Sequence, residues 1–522
     1  MSATTETLAP GASAGEPAQL HRWPATLAVI FGMMTPIMAS TMANVAIADI
    51  MGAYGIGQDR VHWLQTGFLS ATTIFMLLNA WFVHNLGARN TYLFAATAFA
   101  TGCILGLLAP TFEWLVVARV LQGMCAGLLQ PLALQIIFTL FPAAERGKAL
   151  GMFGFGTMMG PALGPIYGGV IVDAFDWHFV FTGALPFMLI GALIGARYLP
   201  GRDAEPPQAR LNWTALGLVT VAICAFLNGI TIGQREGWES TQALGLLTLA
   251  AGSMIAFIEY ESRTAHPLLN VRLFANRSFA IVSLVGFVFG MGMFGSFYLL
   301  PIFVRTVQGF TGTKAGLLLL LADTVTFLVF PIAGWLAHRV NPVYPVAGGM
   351  FIFCISSLGL STVDADSSFW MLVGWSAFGR IGLGLSIPAI TAAGLQGLDR
   401  SLLAYGAGTM NFIRMLGGAI GVNFLAIILD GRTAFYTESF TAAQTTLTGP
   451  TREMVEGVVG MLSTEGMSAY ERVPYAMIYL GDVIAARASA LSFQDGYLAL
   501  AVAFGISSVC ALTLARERAM GR

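Results

Sequence analysis

The sequence predicts an all-α integral membrane protein with fourteen transmembrane helices, arranged as two six-helix bundles with an extra helix pair between them. Three observations support this fold class. Of the 522 residues, 56% are hydrophobic and 10% are charged, which is less than half the charged share of a typical soluble domain. Apolar stretches of about 20 residues, the length that crosses a bilayer, recur along the chain. Polar, basic stretches follow the sixth and the eighth of them.

The predicted spans are taken from these apolar stretches, and their even number places both termini on one side of the membrane. In chain order they cover residues 25–48, 63–84, 91–110, 112–138, 147–172, 178–199, 213–233, 241–259, 279–304, 314–338, 344–363, 368–392, 404–429 and 494–515.

The distribution of basic residues predicts the orientation of the spans, because cytoplasmic loops carry an excess of Lys and Arg. With the N-terminus inside, the cytoplasmic segments hold 15 of the 26 basic residues and the outer segments hold 8. We therefore expect a multi-pass protein of the cytoplasmic (inner) membrane with both termini in the cytoplasm. Residues 1–20 contain no apolar run, so the first span is expected to serve as the insertion signal.

The spans and the polar stretches divide the chain into five predicted segments. The boundaries are a cytoplasmic tail at 1–24, an N-terminal six-helix bundle at 25–199, a linker with two additional spans at 200–278, a C-terminal six-helix bundle at 279–515 that includes an outer loop at 430–493, and a cytoplasmic tail at 516–522. Within the outer loop the helical spacing of Met454, Val458, Met461 and Leu462 predicts an amphipathic helix on the outer surface. Its expected role is a cap over the bundle mouth, with contact to a substrate or partner as the alternative.

Composition also argues against several function classes. The 26 basic and 27 acidic residues nearly balance, so no basic field for nucleic acid is expected. Histidines and cysteines are scattered without the spacing of a metal or redox site, and we predict no metal and no bound cofactor. A membrane enzyme or a sensor is the least supported alternative, because the spans carry no cluster of His and Asp and no nucleophile arrangement.

A glycine ridge marks the fifth span. Gly160, Gly164 and Gly168 recur every four residues and form one bare stripe on a helix. Such stripes let a second helix approach closely in lipid, and we expect this one to bring the two bundles into contact. The alternative is a tight packing face with no further role. The full pattern comprises Gly151, Gly160, Gly164, Pro165, Gly168 and Gly169.

Four charged residues lie well inside predicted spans, where charge is costly and usually faces a partner or a cavity. Asp323 is the one carboxylate well inside a span, and a buried carboxylate can exchange a proton near neutral pH. Arg119, seven residues into span four, is a second candidate functional residue, and Arg380 occupies the equivalent position of the second half. Either arginine could instead bind backbone carbonyls, and Asp323 could instead be paired with an arginine. Arg414 is a third coupling candidate and a counter-charge for Asp323.

The motifs together resemble the fourteen-helix drug:proton antiporter branch of the major facilitator superfamily. The resemblance rests on their order and spacing: the glycine pattern of span five, Arg119-x-x-Gln122-Gly123, Asn44 to Ile47, Gly237-Trp238, Pro267-Leu268, Leu273-Phe274 and Arg414 with Leu416 to Gly418. It implies a transporter that exports small amphipathic drugs or toxic metabolites in exchange for protons, with the proton gradient as its energy source. It also implies a role in proton coupling for Arg119. An exporter or importer of one endogenous metabolite on the same scaffold is the alternative. A periplasmic adaptor protein is the partner that a double-membraned envelope would add.

Two departures from the branch pattern bear on mechanism. The branch usually has an Asp in span one where this chain has Ala39-Ser40, and an acidic residue after span two where this chain has His84. Coupling through a span-one carboxylate is therefore excluded, and Asp323 is expected to have taken over the titrating role.

The resemblance also implies a substrate pocket between spans one, four, nine and twelve, with ten and thirteen adding to it. The candidate lining residues are Gln122, Met38, Phe294, Tyr298, Trp375 and Asn411. Aromatic and methionine side chains offer an adaptable apolar surface, suited to amphipathic compounds and to cationic ones if Asp323 is ionised. Alternatively, these side chains face lipid or neighbouring helices.

Overall fold

The computed structural model describes residues 22–141, 146–201, 211–264, 267–396, 398, 402–444, 449–464 and 467–520. These residues form sixteen α-helices and two short 3₁₀ segments. The helices are α1 Arg22–Tyr54, α2 Gln58–Val61, α3 Trp63–Leu107, α4 Phe112–Leu140, α5 Arg146–Ala174, α6 Val180–Gly183, α7 Leu185–Tyr198, α8 Trp213–Glu236, α9 Thr241–Arg263, α10 Arg277–Thr306, α11 Gly312–Arg339, α12 Val343–Leu360, α13 Phe369–Leu395, α14 Leu403–Ala443, α15 Gly449–Thr464 and α16 Ala469–Met520.

Twelve helices in the described part of the chain are long and apolar enough to cross a membrane. One of these consists of α2 and α3 together, Gln58–Leu107, and has 50 residues. It contains Gly87 at φ 79°, where the backbone leaves the helical conformation. The predicted spans 63–84 and 91–110 lie on either side of this glycine. Helix α5, with 29 residues, covers the predicted fifth span but is not among the twelve. The all-helical membrane class is confirmed, and the count of fourteen stays a prediction.

The helices pack as two groups joined by a pair. Helices α1 to α7 pack on one another and form the N half, and helices α10 to α14 with α16 form the C half. The two halves touch where α5 meets α11, where α3 meets α14 and where α1 meets α10. The packing agrees with the predicted two-bundle plan, while the predicted segment boundaries stay predictions.

The inserted pair, α8 and α9, lies against the seam between α3 and α14. Val219, Ile223 and Leu227 of α8 share an apolar cluster with Phe412 of α14, and Trp63 of α3 packs against the same cluster. The pair therefore contacts both halves along one side of the molecule.

The halves are tied together by a set of polar contacts that we call the junction. Each contact joins one side chain to a group in the other half. They are Asn44 Nδ2 to the Phe297 carbonyl (2.9 Å), Gln58 Oε1 to the Tyr298 hydroxyl (2.7 Å), Asp49 to Arg305, and the Asp173 carboxylate to the Gly312 and Thr313 amides (2.8 and 2.6 Å). All of them lie towards the end of the bundle where α1 finishes.

The glycine ridge of α5 packs inside the N half, which corrects the expectation that it joins the bundles. A Cβ atom added to Gly164 would lie 2.8 Å from the Met38 carbonyl oxygen of α1, and one on Gly168 would lie 2.9 Å from the Met42 Cα atom. Residues one position further on are rotated by roughly 100° around the helix, and that adjacent face meets α11. There a Cβ atom on Gly169 would overlap the Gly312 carbonyl.

Pro165 and Gly160, two other members of the glycine pattern, face different neighbouring helices. A Cβ atom on Gly316 of α11 would lie 2.6 Å from the Ile166 Cα atom and would overlap the Pro165 carbonyl, so Pro165 and Gly169 form the contact between halves. Gly160 faces Met34 and Ile37 of α1. The side-chain surroundings of Gly151 lie outside the described residues.

The predicted outer loop is largely helical. Helix α14 continues to Ala443 and α16 begins at Ala469, so that α16 has 52 residues and a length of roughly 78 Å, more than twice the bilayer core. Helix α15 confirms the helix predicted around residues 454–462 and packs on α16. Val458 and Leu462 are half-buried, whereas Met461 of the predicted apolar face is 72% exposed.

Candidate polar sites of the two halves

The C half contains a buried polar cluster of three side chains, the C triad: Ser296 on α10, Asp323 on α11 and Arg380 on α13. Asp323 Oδ1 lies 2.5 Å from Arg380 Nε, and Arg380 Nη1 donates to the Ser296 hydroxyl at 3.0 Å. All three residues are buried, and the second carboxylate oxygen, Oδ2, has no hydrogen-bond partner among the described residues. The C triad is therefore an ion pair in which one carboxylate oxygen has no hydrogen-bond partner among the described residues.

The N half contains the corresponding cluster, the N triad: Ser40 on α1, Gln65 on α3 and Arg119 on α4. Gln65 Oε1 accepts hydrogen bonds from the Ser40 hydroxyl (3.2 Å) and from Arg119 Nη2 (3.3 Å). Arg119 also donates to the Leu64 carbonyl at 3.1 Å and to Gln122 Oε1 at 2.8 Å. Every acceptor around this fully buried guanidinium is neutral.

The surroundings of the arginines match in a second respect. The Arg119 guanidinium lies 4.5 Å from the centre of the Phe68 ring, and that of Arg380 lies 4.3 Å from the Phe297 ring. Such cation–π contacts stabilise a desolvated cation without neutralising it. The two sites therefore differ mainly in whether a carboxylate is present.

Three consecutive residues of α10 connect the C triad to the junction. Ser296 accepts from Arg380, and the Phe297 ring lies under the same guanidinium. The Phe297 carbonyl and the Tyr298 hydroxyl bind Asn44 and Gln58 of the N half. A change in the Arg380 interactions thus acts on a segment of about one helical turn that also holds the halves together.

The structure pairs Asp323 with Arg380, so Arg414 is not the counter-charge that the sequence suggested. Arg414 bonds the Asn411 side-chain oxygen instead, and its Nε has no partner among the described residues. Asn411 Nδ2 lies 3.1 Å from the Met76 sulfur of α3. The Asn411 and Arg414 side chains therefore face the N half.

The remaining pocket candidates separate into distinct environments. Met38 is buried where α1 meets α5, and Gln122 belongs to the Arg119 network. Phe294 is half-buried and packs over Gly418 of α14. Tyr298 is fully buried in the junction, and Trp375 packs on Gly359, between α13 and α12. The structure thus brings Phe294 and Asn411 to α14, while Trp375 lies at a helix contact within the C half.

Sequence reasoning missed Gln65 and Ser296. Gln65 carried a usable signal, since an amide inside an apolar span requires a hydrogen-bond partner. Serine is common where membrane helices pack, and nothing in the local sequence around Ser296 distinguishes it from a packing residue.

Residues 29–422 match the Major Facilitator Superfamily. The chain belongs to this superfamily. Among its relatives are the multidrug transporter protein MdtP of Bacillus subtilis, 29% identical over 78% of this chain and 75% of the relative, and the multidrug export protein EmrB of Escherichia coli K12, 28% identical over 80% and 82%. The colistin resistance protein EmrB of Acinetobacter baumannii is 25% identical over 95% and 97%. The resemblance to the drug-exporter branch, drawn from short motifs, is confirmed by these relatives.

Solved structures show the same fold. A bacterial homologue of the human lysosomal transporter Spinster, in an inward-facing and unoccupied conformation, aligns with a TM-score of 0.62 and 15% identity over 96% of this chain and 98% of that chain. A POT family transporter in complex with a thioalcohol-conjugated peptide gives 0.66 and 13% identity over 94% and 96%. This superfamily member is therefore a multi-pass membrane transporter, consistent with a protein that is not an enzyme.

Proposed function

We propose that the protein exports small amphipathic compounds across the cytoplasmic membrane in exchange for protons, driven by the proton gradient and without a bound cofactor. The observation that carries the proposal is the C triad. Asp323 is a carboxylate buried inside a membrane helix, with an arginine on one oxygen and no partner on the other among the described residues. A relative named as a multidrug export protein supports the direction of transport.

In this proposal the C triad has two states. With Asp323 ionised, the carboxylate and Arg380 neutralise each other inside the low-dielectric bundle. A proton arriving at the free oxygen removes the negative charge, and Arg380 then keeps Ser296 as a neutral partner but loses its counter-ion. A buried cation without a counter-ion is unfavourable, so protonation favours a rearrangement around Arg380.

The rearrangement is proposed to act on the junction through α10. Ser296 and Phe297 contact Arg380, while the Phe297 carbonyl and Tyr298 hold the N half. If both termini are cytoplasmic and the chain crosses fourteen times, α1 ends at the outer face and the junction lies there. We infer that the structure represents the inward-facing, deprotonated state, which receives cargo from the cytoplasm.

Everted membrane vesicles with an acidified interior provide the test of proton exchange. Addition of an exported compound should raise the internal pH in wild-type vesicles, and Asp323→Asn should abolish this response while leaving the protein inserted. The matched control is Asp366→Asn, which changes an exposed carboxylate of the same half. Normal exchange in Asp323→Asn would disprove the role of Asp323, and accumulation by intact cells would show an importer instead.

We also propose a periplasmic adaptor protein as a partner. Helices α14 and α16 continue well past the length that a bilayer requires, and α15 packs on α16 beyond it. Replacing residues 449–464 by a short flexible linker should leave proton exchange in vesicles intact and reduce drug resistance of whole cells. Unchanged resistance would remove the adaptor from the proposal.

A further inference from the structure

We infer that the cargo is an amphipathic anion, recognised by Arg414 and the aromatic side chains beside it. The inference specifies the substrate class of the exporter proposed above and rests on that function for transport. The claim that the protein binds an anion rests only on the charges and contacts of the described residues. Binding can be measured without any proton exchange.

The first step is the balance of charge deep in the bundle. Asp323, Arg380 and Arg414 each lie 11 residues inside their helices, which is roughly 16 Å from the nearer helix end, and Arg119 lies roughly 10 Å from its own. Asp323 neutralises Arg380. Arg119 and Arg414 have no acidic partner among the described residues, so two positive charges remain.

The second step separates the roles of these two arginines. Arg119 is fully buried, and its Nε and both terminal nitrogens already donate to neutral acceptors. It contributes positive potential but has no free face for a ligand. Arg414 is half-buried, bonds a single side chain, Asn411, and has a buried Nε without a partner among the described residues. Arg414 is therefore the arginine that can still donate hydrogen bonds to a ligand.

The third step is the position of Arg414 relative to the two halves. Asn411, to which it bonds, also contacts Met76 of the N half. Charged residues inside membrane bundles usually face such interior surfaces and mark substrate pathways. A ligand bound to Arg414 would lie between the halves, where alternating access requires it.

The fourth step is the apolar surface beside the cation. Gly418 lies one helical turn beyond Arg414, and a Cβ atom there would lie 3.0 Å from Cγ of Phe294. Phe297 follows, with its ring centre 6.4 Å from that of Phe294, and both residues are half-buried. A cation next to two partly accessible rings fits a compound with an anionic group attached to an aromatic body.

These contacts also argue against cationic cargo. The sequence left cations open on the condition that Asp323 is ionised and available. Since Arg380 occupies that carboxylate, a cation at the depth of Asp323 would meet two arginines that have no acidic partner among the described residues, and a carboxylate that is already paired. Like charges in a desolvated site repel strongly.

The test compares two ions of nearly the same shape and opposite charge, tetraphenylborate and tetraphenylphosphonium. Binding to the purified full-length protein in nanodiscs of zwitterionic lipid is measured by equilibrium dialysis, with empty nanodiscs subtracted. We expect the anion to bind roughly tenfold tighter or more. Arg414→Gln should lower this ratio towards one and leave only the smaller contribution of Arg119.

Control variants separate recognition from folding. Arg414→Lys keeps the charge and should keep the anion preference, while Arg452→Gln removes a largely exposed arginine of α15 and should change nothing. Equal or tighter binding of the phosphonium ion, binding of neither ion, or an unchanged ratio in Arg414→Gln would each overturn the inference. Absence of proton exchange in wild-type vesicles, with the anion preference intact, would count against the proposed coupling alone.

Discussion

The N and C triads place the same kind of cluster in two halves and give it different chemistry. Each consists of a serine on the first span of its half, an arginine on the fourth, and a third residue on the second span, which is Gln65 in one half and Asp323 in the other. An amide can hold a guanidinium but cannot change its charge near neutral pH, whereas a carboxylate can. The comparison teaches that a single position, occupied by Gln65 or Asp323, decides whether the arginine is only held in place or belongs to a site that can take up a proton.

The energetic consequences of the two arrangements also differ. Removing one member of a buried ion pair leaves an uncompensated charge in a medium of low dielectric constant. Removing an arginine from neutral acceptors leaves only unsatisfied hydrogen bonds, which cost less. The C triad should therefore be more sensitive to single substitutions than the N triad, although both arginines are buried.

The largest expected effect contrasts the two arginines directly. Arg380→Leu should lower the free energy of unfolding by about 3–5 kcal/mol, because Asp323 loses its counter-ion. Arg119→Leu should cost about 1–3 kcal/mol, since its partners are neutral. Unfolding in detergent, followed by circular dichroism, measures both. Equal losses would mean that the carboxylate does not distinguish the sites.

The next test removes the pair as a unit. The double variant Asp323→Leu with Arg380→Leu should recover about 2–3 kcal/mol relative to Arg380→Leu alone, since no buried charge then remains. The same unfolding measurement applies, with Asp366→Leu in the Arg380→Leu background as the control. Additive losses from the two substitutions would show that the ion pair is not the source of the effect.

A third substitution converts the N triad towards the C triad. Gln65→Glu places a carboxylate next to Arg119 and removes about one unit of positive charge from the bundle interior. Tetraphenylborate affinity should fall several-fold, by less than in Arg414→Gln, because Arg119 acts at a distance. Gln135→Glu, at an exposed position of α4, is the control. No change in affinity would exclude Arg119 as a contributor to the interior charge.

The smallest expected effect concerns the two phenylalanine rings. Phe68→Leu and Phe297→Leu each remove a ring from an arginine and should cost about 0.5–2 kcal/mol in unfolding free energy. Phe297→Leu should also slow proton exchange in vesicles, because Phe297 lies between Arg380 and the junction. Equal exchange rates in the two variants would show that α10 does not couple the C triad to the junction.

The charged residues of the two triads could be predicted from local sequence, but the pairing of these charges could not. Arg119, Arg380 and Asp323 stand out because charge inside an apolar span is rare, and the equivalence of Arg119 and Arg380 follows from their places in the fourth span of each predicted bundle. The Asp323–Arg380 pairing does not, since the residues are 57 positions apart and Arg414 was an equally reasonable partner. The spacing of Gly160, Gly164 and Gly168 predicts one bare face but not the helix it meets, which is α1 rather than the other half.

The sequence by itself determined the membrane class, the superfamily and the positions of the buried charges, because span length and the cost of intramembrane charge act on local stretches of chain. Only the tertiary structure decided which charges neutralise each other, which face of α5 meets α11, and that Asn44, Gln58 and Asp173 tie the halves together. These outcomes depend on how helices distant in sequence are rotated and packed against one another, and periodicity along a single helix contains no information about its neighbour.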